Sequence, residues 1–238
     1  MNRKVFGIIG GVAVVALLVV AIALIINNNP SGPEQFKYRD IIEIFSSTDY
    51  SDVNPDSIVE PTSLTGDLPE KVIGSADAPV VIYEYADYAC SHCAEMNTYV
   101  KKLIEEYNGK VAVVYRGYLL NGYPNNVIAA AAANAAAIQG YWDKYRNLVF
   151  SDQATWFYLK GDKVVPYFGD LFVQASDGKG DLDKFYEDMM SESVGKRMAF
   201  EYAMGEKIEL TGTPTFRING EKVSGDKLKD TIDELLAK

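Results

Sequence analysis

Cys90 and Cys93 are the only cysteines of the 238-residue chain, and they enclose Ser91 and the only histidine, His92. Two thiols separated by two residues can pass between a dithiol and a disulfide, and the thiolate is the form that attacks. His92, as a cation or as an N–H donor, would stabilise a thiolate on Cys90. A stabilised thiolate favours the reduced pair, so the disulfide becomes a stronger oxidant by about 30 mV for each 1.4 kcal/mol. Two other uses of the cluster fit less well. A structural zinc site takes four ligands, more than two cysteines and one histidine supply. A purely structural bridge across so short a loop would restrain the unfolded chain little. The cluster therefore points to thiol–disulfide exchange, with no cofactor beyond a redox-active Cys90–Cys93 disulfide and no metal.

The elements around the cluster place it at a reactive position. Val80 to Ala86 is a β-branched and aromatic run of strand length, bounded by Pro79 and Asp87, and reads as a buried strand. After Cys93 the apolar residues Met96, Val100, Leu103, Ile104 and Tyr107 recur at helical spacing up to Asn108-Gly109, which predicts a helix over about 91–107. Val111 to Tyr115 reads as a second strand, so the unit is a strand, a helix and a parallel strand with a right-handed crossover. Its cysteines lie at the carboxyl edge of the sheet, where active sites of such folds collect. The helix start offers unpaired amides and a partial positive charge, so Cys90 is expected to have a depressed pKa. Cys93, one turn on, is close enough for a disulfide, less accessible, and suited to be the resolving thiol.

The stretch from Gly74 to Cys93, with Val80-Val81-Ile82-Tyr83-Glu84-Tyr85-Ala86 leading into Cys90-Ser91-His92-Cys93, resembles the DsbA-like thiol–disulfide oxidoreductases of thioredoxin fold. Thr211-Gly212-Thr213-Pro214-Thr215-Phe216 is similar to that family's cis-proline loop. Beyond it, Thr215 to Ile218 reads as a strand, Asn219-Gly220 as a hairpin turn and Asp226 to Ala237 as a closing helix. Residues about 120–208 read as a helical insertion, with helices expected over 126–139, 141–150, 181–192 and 194–208. The resemblance implies an α/β thioredoxin fold with an inserted helical domain. It makes Cys90, Cys93, His92 and Glu84 the catalytic set, Glu84 as a buried acid beneath the cysteines with a raised pKa. It assigns Ser91, Thr213 and Pro214 to substrate contact, the backbone of Thr213 pairing with the substrate as an added strand. The expected partners are cysteine-containing exported or unfolded proteins, and a membrane re-oxidant of the DsbB or VKOR-like kind. A reductase or isomerase of the same fold is the alternative, since threonine before the proline also occurs in those enzymes; a non-catalytic thioredoxin-like chaperone is a third.

The remainder of the chain sets location. Val5 to Ile26 carries no charge, and as a helix at about 1.5 Å per residue it would span roughly 33 Å, the thickness of a bilayer core. Arg3 and Lys4 precede it and no Lys or Arg follows until Lys37, so the positive-inside bias puts the N-terminus in the cytoplasm and the rest outside. A cleavable signal peptide would have a shorter apolar core and a small-residue cleavage pattern rather than Asn27-Asn28-Asn29-Pro30. The expectation is a cytoplasmic tip and one transmembrane anchor over 1–27, a juxtamembrane spacer with little core of its own over 28–70, and the catalytic domain over 71–238. With 33 acidic against 23 basic residues, a net charge of −10 and no basic face, nucleic acid is excluded as a partner. Asp177, Asp181 and Asp183 miss the spacing of a calcium loop, and Asp181 suits a helix cap. The 16 tyrosines suggest a peptide groove around Tyr88 and Tyr123, most of the others being packing. No dimerisation segment is evident, so a tethered monomer is expected.

Overall fold

Alternation of apolar side chains on a pleated backbone lets one strand feed two cores, and the central strands of this protein do so. In the computed structural model, which describes residues 37–238, five strands form one sheet: β1 (Lys71–Ile73), β2 (Val80–Ala86), β3 (Val111–Gly117), β4 (Thr215–Ile218) and β5 (Glu221–Val223), in the order β1-β3-β2-β4-β5. β2 and β3 are parallel, in register from Val80 opposite Val111 to Ala86 opposite Gly117. The other pairings are antiparallel. The expected anchor lies outside the described residues, and among the described residues no helix is long and apolar enough to cross a membrane.

The helices are α1 (Tyr38–Ser47), α2 (Ser91–Tyr107), α3 (Asn126–Ile138), α4 (Trp142–Ser151), α5 (Gln153–Trp156), α6 (Val164–Ala175), α7 (Leu182–Met189), α8 (Glu192–Lys207) and α9 (Leu228–Leu236). Val80, Ile82, Val111, Val113, Phe216 and Ile218 pack with α2 and α9 through Val100, Leu103, Leu228 and Ile232. On the opposite face Tyr83, Tyr85 and Val114 pack with Phe200, Ala203 and Met204 of α8. Six helices between β3 and β4 form the insertion, whose core is the alanine run of α3 against Tyr145, Phe168, Phe172 and Phe185. Small alanine side chains let α4, α7 and α8 approach α3 closely, which accounts for its burial nearly all round. Asp181 caps α7, its Oδ1 accepting from Lys184 N at 3.0 Å. The sequence pattern does not announce α6. Its Pro166 sits in the first turn, where a missing N–H costs nothing because that amide has no intrahelical partner.

One boundary differs from expectation. Residues 37–70 do not behave as a spacer but are built into the fold. Ile41 of α1 is fully buried, Tyr50 is 6% exposed, and the Tyr50 ring lies 6.1 Å from that of Phe200. The segment is short of contiguous apolar residues, and its carbonyls are satisfied by two cations instead, the buried Arg116 and the exposed Lys207. Arg116 donates to Pro55 O at 2.6 Å and Ser57 O at 2.8 Å. Lys207 donates to the carbonyls of Tyr50, Ser51 and Val53 at 3.1, 2.7 and 2.6 Å. Below them a buried network joins Glu70 to Arg116 at 2.7 Å and to Arg197 at 2.6 Å, and Arg197 to Glu201 at 2.8 Å, with Lys71 also on Glu201.

Candidate active site

Cys90 is the residue before the first turn of α2, with extended backbone, and its carbonyl accepts from the amides of Cys93 at 3.1 Å and Ala94 at 3.2 Å. The amides at the helix start have no intrahelical carbonyl to bind. The Cys93 thiol is the strongest donor to the Cys90 sulfur; the Thr213 hydroxyl and the backbone amides of Cys93 and His92 add to it against the cost of burial, and together they bring Cys90 down to about 5. Cys93 moves the other way. Burial, then the neighbouring Cys90 sulfur, hold its thiol well above the ordinary range.

Both sulfurs are enclosed: Cys90 keeps 4% of its surface exposed and Cys93 none. Cys90 is the more open of the two, as expected, but by a small margin, because the loop before β4 closes over it. The Thr213–Pro214 bond is cis, and Thr213 O accepts the Cys90 S–H at 3.3 Å. The Thr213 hydroxyl is buried with no partner while Cys90 is a thiol, which leaves it free to donate to a thiolate.

Two of the expected side chains, His92 and Tyr88, occupy places the sequence did not foresee. The His92 side chain is 77% exposed, with Nδ1 3.6 Å from Glu95 Oε2. It is the His92 amide, not the imidazole, that meets the Cys90 sulfur. Ser91 is exposed beside it on the outer side of the first turn. Glu84 is fully buried, as the resemblance implied, and burial raises its pKa while Arg146 opposes the rise. Its partner is new: Arg146 of α4 donates from Nη2 to Glu84 Oε2 at 2.8 Å, between side chains with no exposure. Glu84 Oε1 and Arg146 Nε and Nη1 have no further partner. Tyr115 lies within electrostatic reach of both Cys93 and Glu84. Tyr88 does not line a groove, being 2% exposed with its hydroxyl accepting from Trp142 Nε1 at 3.0 Å; Tyr123, at 40%, is the exposed one.

Two residues that sequence reasoning passed over hold the turn itself. Asp87, 1% exposed, accepts from Ala89 N at 2.8 Å, Leu120 N at 2.7 Å and Asn126 Nδ2 at 2.8 Å. Desolvation nonetheless lifts its carboxyl to about 6. Gln153 of α5 donates from Nε2 to the carbonyls of Tyr88 at 2.6 Å and Cys90 at 3.0 Å. An aspartate three residues before a cysteine at a strand end was the available signal for the first; nothing local marks Gln153, which arrives from the insertion.

Chemically, the arrangement can hold one thiolate at neutral pH beside a protonated thiol, under a proline loop whose Thr213 carbonyl meets the Cys90 sulfur. A family model described as Thioredoxin matches residues 67–238. Among curated proteins, the chain is 32% identical over 157 residues to Na(+)/H(+) antiporter NhaA 3 of Salinispora tropica, covering 66% of this chain and 22% of that protein. It is 26% identical over 167 residues to Na(+)/H(+) antiporter NhaA of Herminiimonas arsenicoxydans, covering 70% and 25%. The chain thus matches about a quarter of the length of these relatives. Among solved structures it is similar to oxidised BdbD of Bacillus subtilis, with a TM-score of 0.61, 22% identity and coverage of 78% of this chain and 100% of that one. It is also similar to a thioredoxin-like oxidoreductase of Silicibacter pomeroyi (0.57, 23%, covering 74% and 97%) and to α-DsbA1 of Wolbachia pipientis (0.58, 21%, covering 74% and 96%). Parallel β2 and β3, cysteines at the start of α2, a cis-proline before β4 and a helical insertion agree with these matches, and the chain belongs to the thioredoxin family.

Proposed function

We propose that the protein is a membrane-anchored, extracytoplasmic thiol–disulfide oxidoreductase that introduces disulfides into exported polypeptides. The observation that carries this reading is the opposite setting of two neighbouring sulfurs, Cys90 near 5 and Cys93 well above the ordinary thiol range. In the oxidised protein a substrate thiolate attacks the Cys90 sulfur. The bond to Cys93 breaks, and Cys93 takes the electron pair and a proton to leave as a thiol. A second substrate thiolate then attacks the substrate sulfur of the mixed disulfide, and Cys90 departs as a thiolate. The substrate has lost two electrons and gained a disulfide; the protein holds them as the dithiol. A leaving thiolate of low pKa departs faster, so the second step runs toward product. Cys93 resolves a stalled mixed disulfide by returning to the Cys90 sulfur. Thr213 offers its backbone, beside Ser91 and Pro214, to a substrate segment lying as an added strand. His92 acts through its amide, and Glu84 stands as a buried acid beside Tyr115, which also feels Cys93. Re-oxidation by a DsbB-like or VKOR-like membrane partner, and attachment through residues 5–26, rest on the resemblance and on the uncharged run.

Equilibrating the full-length protein with glutathione tests the direction. An oxidase should give a potential well above the roughly −270 mV of thioredoxin; a value close to that figure assigns it to reduction or isomerisation instead. Cys90→Ser should abolish exchange, and Cys93→Ser should accumulate mixed disulfides with substrate, whereas a chaperone would keep its activity in both.

A further inference from the structure

Asp87 closes the strand that leads into the cysteines, and each of its polar groups is committed. Its carbonyl accepts from Cys90 N at 3.0 Å, its amide points at the Cys93 sulfur, and Oδ1 accepts from Ala89 N at 2.8 Å. Oδ2 leaves the turn altogether and takes Leu120 N at 2.7 Å and Asn126 Nδ2 at 2.8 Å. Asn126 is held in turn by Leu120 O at 2.9 Å. Three donors thus converge on two oxygens in a site with 1% exposure. A carboxylate accepts from all of them; an amide in its place would turn N–H groups against N–H groups. An ionised acid so buried and so near a thiolate is costly in electrostatic terms, and the cost calls for a function.

We propose, building on the redox reading above, that Asp87 is a positioning residue: it ties the β2–α2 turn to the β3–α3 loop so that the Cys90 sulfur stays against the amides of His92 and Cys93. The groups facing it fit that role. From the β3–α3 loop and from α3 it meets the uncharged amides of Leu120 and Asn126; the titratable side chain facing it is Cys90, whose thiolate adds to the burial that lifts the Asp87 carboxyl. Charge and position therefore pull in opposite directions. Removing a negative charge beside Cys90 would by itself make the thiolate easier to form. Releasing the turn from its anchor would make it harder, because the amides would no longer converge on the sulfur.

The measurement is the pH dependence of iodoacetamide alkylation of Cys90 in the reduced full-length protein, for the wild type, Asp87→Asn and Asn126→Ala. Positioning predicts that the Asp87→Asn profile moves up by about one unit, so that alkylation at pH 5 slows about fivefold while the rate at pH 8 changes little. Asn126→Ala, which leaves the charge and removes one donor, should move it the same way by less. An unchanged or lowered Cys90 pKa in Asp87→Asn overturns the assignment, and if that variant does not fold, Asn126→Ala decides alone on the same criterion. Failure of the redox reading looks different: the wild-type Cys90 would itself titrate as an ordinary thiol.

Discussion

At the scale of single residues the decisive contrast lies between two sulfurs three positions apart. The Cys90 thiolate has donors on several sides, whereas Cys93 faces the interior. This has a consequence for stability. The pKa of Cys90 is lower in the folded protein, about 5, than in an unfolded chain, about 8.5. Between those values the unfolded chain holds a proton that the folded one has released, so the stability of the reduced protein rises with pH across the window and is lost as pH falls through 5. The disulfide form has no such group. In the reduced protein Asp87 works in the opposite sense between its ordinary value of 3.8 and about 6, where the folded form holds the extra proton; burial acts the same way in the oxidised form, without the added push of the Cys90 charge. Denaturant titrations of the two forms at pH 5 and pH 8 should therefore show the reduced form gaining on the oxidised by on the order of 3 kcal/mol. Cys90→Ser should show none of that gain.

At the scale of elements, the insertion reaches under the sheet as well as beside it. Arg146 of α4 brings a guanidinium to Glu84 of β2 and lies 5.3 Å over the Tyr115 ring of β3 and 5.6 Å over Trp142. A buried pair of this kind contributes little relative to an apolar pair, but losing one partner strands the other. Arg146→Met should cost about 3–5 kcal/mol in thermal or denaturant unfolding and leave Glu84 protonated at neutral pH. Arg146→Met combined with Glu84→Leu should recover most of the loss. Should the double variant prove as unstable as the single one, the ion pair is not the link between α4 and β2.

At the scale of the whole molecule, residues 37–70 finish the second face of the sheet. Arg116 is fully buried, stacked 4.9 Å from the Tyr83 ring, and takes its partners from Glu70, Pro55 and Ser57. Asp56 forms a two-pronged pair with Arg217 of β4 at 2.7 and 2.8 Å. A chain begun at residue 71 would leave the Arg116 guanidinium the Tyr85 hydroxyl but none of its Glu70, Pro55 and Ser57 acceptors, and would uncover Phe200. It should be less stable by more than about 4 kcal/mol than a chain begun at residue 37, as read by the midpoint of thermal unfolding. Equal midpoints would restore the picture of a passive spacer.

What the sequence by itself determined is what depends on neighbours along the chain. The strand at Val80–Ala86, the helix at Ser91–Tyr107, the Asn219-Gly220 turn and the Asp181 cap each follow from local propensity and spacing, and the structure reproduces them. The low pKa of Cys90 was legible in part, since a helix start carries its own free amides, but its largest contribution comes from the Cys93 thiol and another from the distant Thr213 hydroxyl. Tertiary structure decided everything that requires two distant segments to meet. Arg146 on Glu84, Asn126 on Asp87, Gln153 on the Cys90 carbonyl and Arg116 on the carbonyls of residues 55 and 57 join partners 39 or more positions apart, and no periodicity encodes such pairs. His92 shows the converse: its type suggested an imidazole on the sulfur, but the first turn of α2 points that ring into water and leaves its amide to do the work.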